Sequence, residues 1–321
     1  MSIELIISLI KANIVLAVLL TNTILLIWFE RKVVAGMQSR VGPDRAGPFG
    51  ILQTLADAIK LLLKEQILPS KADRAMYLLA PLVALVPSFL IFMIIPLGPD
   101  ITVEWQNALY TIPLVGADLN VGVLYFLALS SIAVYSVVLA GWSSGSKYPL
   151  LGGVRASAQM ISYEAAMGLA LVPVILYSGS LSLVDIVNSQ SGNLSSSIPI
   201  LNTIVSFIPK WNIFPQFVAF GIFFIAAVAE VNRAPFDLVE AEQELVGGFH
   251  TEYSGFRFAM FFLAEYINMF NMCAITATFF LGGWLGPTFE GTLPPIFSVI
   301  MPIIWLGVKT FLLLFVFVWL R

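Results

Sequence analysis

Seven apolar runs of at least about 17 residues, the lower limit for a membrane span, constrain this chain more than any motif in it. They cover about Ile3–Phe29, Tyr77–Leu97, Leu119–Trp142, Ala156–Tyr177, Ile213–Ala229, Phe256–Trp284 and Ile296–Leu320. Of the 321 residues 59% are hydrophobic and 11% charged, against about a quarter charged in soluble domains. Mean hydropathy is +0.93. The expected fold is all-α: a polytopic transmembrane helix bundle, one integral membrane domain over residues 1–321. The first run is too long for a signal-peptide core and has no small-residue cleavage site, so it reads as a retained span.

Charge orients the bundle. The loops after the first, third and fifth runs, with the chain end, hold every loop Lys and Arg except Lys210. Basic residues stay on the cytoplasmic side, which places the N-terminus outside. Residues 30–75 then form a cytoplasmic-side loop. Within it ILQTLADAIKLLLKE has apolar residues at helical spacing on one face, opposite Asp57, Lys60 and Lys64. It is too short to span and reads as a helix lying in the interface.

Residues 230–255 form a second cytoplasmic-side loop, and it is acidic. The stretch Ala229–Phe256 holds six carboxylates, Glu230, Asp237, Glu240, Glu242, Glu244 and Glu252, against Arg233, with Arg257 at its edge. Pro235 and Gly247–Gly248 fit the two ends of a helix, on which Asp237, Glu240 and Glu244 share a stripe. Like charges at that spacing repel, and crowded carboxylates share protons. Two uses fit: proton handling, or docking of a basic partner.

Glu164, Glu265 and Lys309 lie deep inside the runs, away from their ends. At such depth these groups are costly and mark ion or proton pathways; the structural alternative is a Glu–Lys pair, or a lysine snorkelling to the interface. Glu230, closing the fifth run, extends Glu164 and Glu265 towards the loop carboxylates. Glu30, Arg31 and Lys32 close the first run. They serve as a topology signal or, beside the interfacial helix with Asp57, frame an opening for an apolar ligand.

Several functions are excluded. The single cysteine, Cys273, permits no intrachain disulfide, thiolate zinc site or iron–sulfur cluster. The one histidine, His250, has no second histidine to share a metal with and reads as incidental. No GxGxxG or P-loop segment is present, so no nucleotide cofactor is expected on this chain. A net charge of −3 without a basic cluster gives no sign of nucleic-acid binding.

The segments WFERKVVAGMQSRVGPDRAGPFGILQTLADAIKLLLKE, GVRASAQMISYEAA and AEVNRAPFDLVEAEQELVGGFHTEYSGFRFAMFFLAEYINM resemble the subunit 1 family of respiratory complex I, the proton-pumping NADH:quinone oxidoreductase, in bacterial wording. The match runs in order across nearly the whole chain. It implies a membrane subunit at the heel of the complex, forming most of the quinone chamber, in the bacterial plasma membrane. By matched position Glu30, Arg31, Asp57, Arg233 and Asp237 frame the chamber and its entrance. Glu164, Glu230, Glu240, Glu242, Glu244, Glu252 and Glu265 form a proton or charge route, with Lys309 as a buried counter-charge. Implied partners are the hydrophilic-arm quinone-site subunits, neighbouring small membrane subunits, lipid, and quinone (ubiquinone or menaquinone) as substrate. FMN and iron–sulfur clusters sit in partner subunits, no metal or cofactor is held here, and no complete active site lies on this chain alone. Family members continue with a basic loop and an eighth span, so the resemblance implies that more sequence follows Arg321. A second reading, a stand-alone secondary transporter or ion channel using the buried Glu and Lys, is weakened by the lack of an internal repeat.

Overall fold

The computed structural model describes residues 3–105, 108–193, 209–237, 246–286 and 296–321. Within them the apolar runs fold as helices. α1 covers Ile3–Met37, α2 Gln53–Leu63, α3 Arg74–Met93, α4 Gly122–Ser143, α5 Lys147–Ser178 and α6 Leu183–Ser189. α7 covers Phe217–Glu230, α8 Gly255–Phe280 and α9 Ile296–Leu320. Among the described residues six helices (α1, α3, α4, α5, α8 and α9) are long and apolar enough to cross a membrane, and α7 is a shorter apolar helix. The chain is a multi-pass membrane protein.

Three details differ from the sequence reading. First, α1 runs for 35 residues, about 52 Å at 1.5 Å per residue, well beyond a bilayer core of about 30 Å. Glu30, Arg31 and Lys32 therefore lie on its last turns rather than in a loop. Likewise α5 has 32 residues and begins at Lys147, absorbing the segment that reads as a connection between spans. Second, the fifth run gives a helix of only 14 residues, about 21 Å. Pro209 and Pro215 break the chain before it, and Asn212 is held by donating to the Phe279 carbonyl at 2.8 Å. Third, the connection from α3 to α4 contains a small antiparallel hairpin, β1 (Ile101–Trp105) and β2 (Ala108–Ile112), with Ile101 opposite Ile112. Its β-branched and aromatic residues suit a pleated ribbon.

The expected interfacial helix is present as α2, with Leu52, Leu55, Ile59, Leu62 and Leu63 exposed. These side chains need lipid or a partner to cover them. The helix expected between Pro235 and Gly247 lies outside the described residues at 238–245.

α3, α4, α5 and α7 pack in sequence order, and α8 closes against α3 and α9. Phe126, Phe223, Phe279 and Phe280 are wholly buried in the main core. A smaller core gathers Tyr77, Phe249, Tyr253 and Phe261. Gly141 and Gly152 make two approaches possible. A Cβ on Gly141 would meet the Pro149 carbonyl oxygen at 2.5 Å, so α4 and α5 touch backbone to backbone. A Cβ on Gly152 would come within 2.7 Å of Gly248, so the turn Gly248–His250 rests directly on α5.

Candidate functional site

The polar groups of the bundle converge where α1, α7 and α8 meet. Arg233, three residues beyond α7, is turned inward. Its Nη1 donates to Glu30 Oε1 at 2.9 Å, and its Nε lies 2.9 Å from Glu265 Oε1. Its guanidinium carbon sits 4.5 Å from the centre of the Tyr266 ring, a cation–π contact. Arg321 donates to the same Glu30 oxygen. Glu30 and Arg233 are 4% and 7% exposed, which demands pairing, since an isolated buried charge is prohibitively costly. Two arginines and two carboxylates make the cluster neutral as a set.

At the next residue of α1 the arrangement continues outward. Arg31 Nη1 lies 2.5 Å from Asp57 Oδ2, tying α1 to the interfacial helix α2. Gln53 donates to Asp57 Oδ1 at 2.9 Å. Partial burial works against ionisation of Asp57, but the hydrogen bonds from Arg31 and Gln53 and the charges of Arg31 and Lys60 outweigh it and hold the carboxyl below its usual range. Between them Glu30 and Arg31 connect a buried cluster to one at the interface.

Glu164 and Glu230 are placed by neighbouring serines of α4. Ser130 Oγ donates to Glu230 Oε1 at 2.9 Å, and Ser131 Oγ donates to Glu164 Oε1. α4 thus spaces the carboxylates of α5 and α7. Gln159 of α5 donates to the carbonyls of Ala229 at 2.9 Å and Phe236 at 2.8 Å, fixing the turn that aims Arg233 inward.

Between these groups lies a cavity of about 70 Å³ lined by Glu230, Asn232, His250, Glu265 and Asn268 among apolar side chains. At roughly 30 Å³ per water it has room for about two. Glu230 Oε2 and Asn268 Oδ1 are buried and accept no hydrogen bond from the described residues, which suits a hydrated space.

The segment after α2 and the segment before α8 touch. Ile67 N donates to Ser254 Oγ at 3.1 Å, and Ser254 Oγ donates to the Glu65 carbonyl at 3.3 Å. The Tyr77 hydroxyl donates to the Glu252 carbonyl at 2.7 Å, under a stacked Tyr77–Tyr253 pair with centroids 4.1 Å apart. Asp237 is half-buried at the edge of the described turn, while Glu240, Glu242 and Glu244 lie outside the described residues.

A family model described as NADH dehydrogenase matches residues 10–321. The chain belongs to that family. Among its relatives, an NADH-quinone oxidoreductase H-type subunit of Koribacter versatilis is 47% identical over 325 residues, 99% of this chain and 88% of the relative. The H-type subunit of the NADH-quinone oxidoreductase of Thermomicrobium roseum is 49% identical over 99% of this chain and 87% of the relative. The protein of that name from Frankia casuarinae is 51% identical over 98% of this chain, which spans 65% of that longer relative.

Within this member of the NADH dehydrogenase family, Lys309 stands apart from the carboxylates. Its Nζ donates to the carbonyls of Leu281 at 2.6 Å, Gly283 at 2.9 Å and Leu285, and lies 4.3 Å from the centre of the Trp211 ring. The ammonium holds the C-cap carbonyl of α8 and two carbonyls of the turn beyond it, beside the helix end where negative dipole gathers. The sequence reading as a counter-charge to a buried Glu gives way here to helix capping. Gln159, Ser130, Ser131, Asn268, Tyr266 and Arg321 were not singled out by sequence. A polar residue within an apolar run was the available signal for the first four; Tyr266 and Arg321 carried none.

Proposed function

We propose that this chain is the quinone-chamber membrane subunit of a proton-pumping NADH:quinone oxidoreductase, the counterpart of the H-type subunits of its bacterial relatives. It contributes no complete active site; FMN, iron–sulfur clusters and the groups that hold the quinone headgroup belong to partner subunits. The supporting observation is the succession of polar groups from α2 into the bundle. It runs from Asp57 to Arg31, through adjacent Glu30 to Arg233, and on to Glu265 and the cavity that Glu265 shares with Glu230.

In this reading the exposed apolar face of α2 and the Arg31–Asp57 pair frame the opening through which quinone enters from the lipid. Reduction of the quinone changes charge beside the acidic stretch. The carboxylates answer by exchanging protons, and Glu265, Glu230 and Glu164 pass that change towards neighbouring membrane subunits. Arg233 holds the balance, because a proton gained by either Glu30 or Glu265 leaves its charge to the other. The chain sits in the bacterial plasma membrane with its N-terminus outside.

The test is Glu230→Gln in the assembled complex, with NADH oxidation by an artificial acceptor as the control for the hydrophilic arm. Quinone-linked proton pumping is expected to fall while the artificial reaction persists. Wild-type pumping per electron in that variant overturns the coupling role.

A further inference from the structure

The proposed route uses every buried carboxylate near the cavity but leaves one titratable side chain of its wall without a role. His250 lines the cavity together with Glu230 and Glu265. It belongs to the short turn Gly248–His250 that Gly152 seats on α5. The preceding Val246 is 65% exposed. A Cβ on Gly247 would lie 4.0 Å from the imidazole Nε2. The ring therefore stands between a surface segment at the end of the acidic stretch and the internal cavity.

Three aromatic rings fix it there. Phe249, Phe258 and Phe262 have centroids 4.9, 5.4 and 5.9 Å from that of His250, at interplanar angles of 89°, 69° and 69°. A histidine kept only for packing needs no cavity beside it, and a phenylalanine would fill such a cage without the cost of desolvating two nitrogens.

We infer that His250 carries protons between the surface at Gly247 and the cavity at Glu230 and Glu265. Neutral imidazole is suited to this because one ring nitrogen accepts while the other donates. A proton taken up at one nitrogen is matched by release of the proton on the other. The ring ends in its other tautomer and resets by a flip about the Cβ–Cγ bond, so each forward transfer is kept, no charge accumulates and no co-reactant is consumed. Burial favours the neutral ring, pushing its pKa down to about 4. The aromatic faces offset part of the cost of a transient imidazolium.

This inference rests on the proposed proton route, and the experiment separates the two. In the assembled complex His250→Ala is compared with Glu265→Gln, reading quinone-linked proton pumping, with artificial-acceptor activity as the control. The expected result is a loss of about tenfold or more in His250→Ala, the scale at which a proton-transfer group acts. Added imidazole restores the activity, and pyrazole, equal in shape but a far weaker base, does not. Equal rescue by both, or none by imidazole, reduces His250 to a packing residue and overturns the inference. Normal pumping in His250→Ala with loss in Glu265→Gln overturns it while leaving the route intact; normal pumping in both removes the route. Should the alanine chain fail to assemble, His250→Gln takes its place, since glutamine hydrogen-bonds but cannot relay a proton by protonation. Wild-type pumping in that assembled variant overturns the inference, and a loss of about tenfold supports it.

Discussion

Arg233 donates to Glu30 at 2.9 Å across 203 positions of sequence. The bond joins the C-terminal turns of α1 to the turn after α7, and both partners are buried. Removing one member of a buried pair strands the other charge, at about 3–5 kcal/mol. Arg233→Met, which removes the buried cation that Glu30 and Glu265 share, is expected to lower the melting temperature of the assembled complex or to prevent its assembly. Glu30→Gln keeps a hydrogen-bond acceptor and is expected to cost less. A thermal melt of each complex tests the order.

The Arg31–Asp57 pair behaves differently because it is partly exposed, at 45% and 30% of the side-chain surface. Screened pairs contribute about 0–1 kcal/mol, so Asp57→Asn is expected to leave assembly and melting nearly unchanged. Its effect falls on quinone entry, as a several-fold rise in apparent KM for quinone. The carboxyl of Asp57 is held below its usual range. The pair is therefore fully formed above about pH 4 and lost only as pH falls through the lowered value. Steady-state kinetics should show a KM difference between variant and wild type that does not change with pH around neutrality.

Lys309→Met removes the partner of three carbonyls, that of the α8 C-cap Leu281 and those of Gly283 and Leu285 in the turn that follows. Charged hydrogen bonds contribute about 1.5–3 kcal/mol, and the orphaned acceptors add their own desolvation cost. The expected loss of stability is on the order of 3 kcal/mol, with the KM for quinone unchanged. A melting curve together with quinone kinetics distinguishes this capping role from one in the proton route, which would alter pumping at unchanged stability.

Acid should weaken the fold around His250. Its pKa lies at about 4 when folded, against about 6.5 when unfolded. A depressed folded value means that stability is complete above about pH 6.5 and is lost as pH falls towards 4. By about pH 5 the loss amounts to about 2 kcal/mol. His250→Phe fills the same cage without a titrating group and should flatten this part of the acid dependence of the melting temperature.

What the sequence by itself determined is local. The apolar runs specify helices because each can satisfy its backbone only within itself, and the apolar spacing of residues 51–63 specifies an amphipathic helix. Polarity also singled out Glu30, Arg31, Asp57, Glu164, Glu230, Arg233 and Glu265, all of which meet a partner or line the cavity. The short α7 was harder to read, because hydropathy does not show where Asn212 and two prolines let the helix begin. Partner choice was settled only by tertiary structure. Arg233 had six carboxylates of its own stretch within reach along the chain. Among the described residues it reaches Glu30 and Glu265, because Gln159 turns the chain inward between α5 and α7. Lys309, a natural counter-charge by composition, faces the open end of a helix and takes carbonyls instead. His250, alone and unremarkable in sequence, acquires a cavity shared with two carboxylates because two glycines in contact, Gly152 and Gly248, let its turn settle on α5. Hydrophobic pattern acts over a few residues along the chain. Buried charges find their partners through packing between elements far apart in sequence.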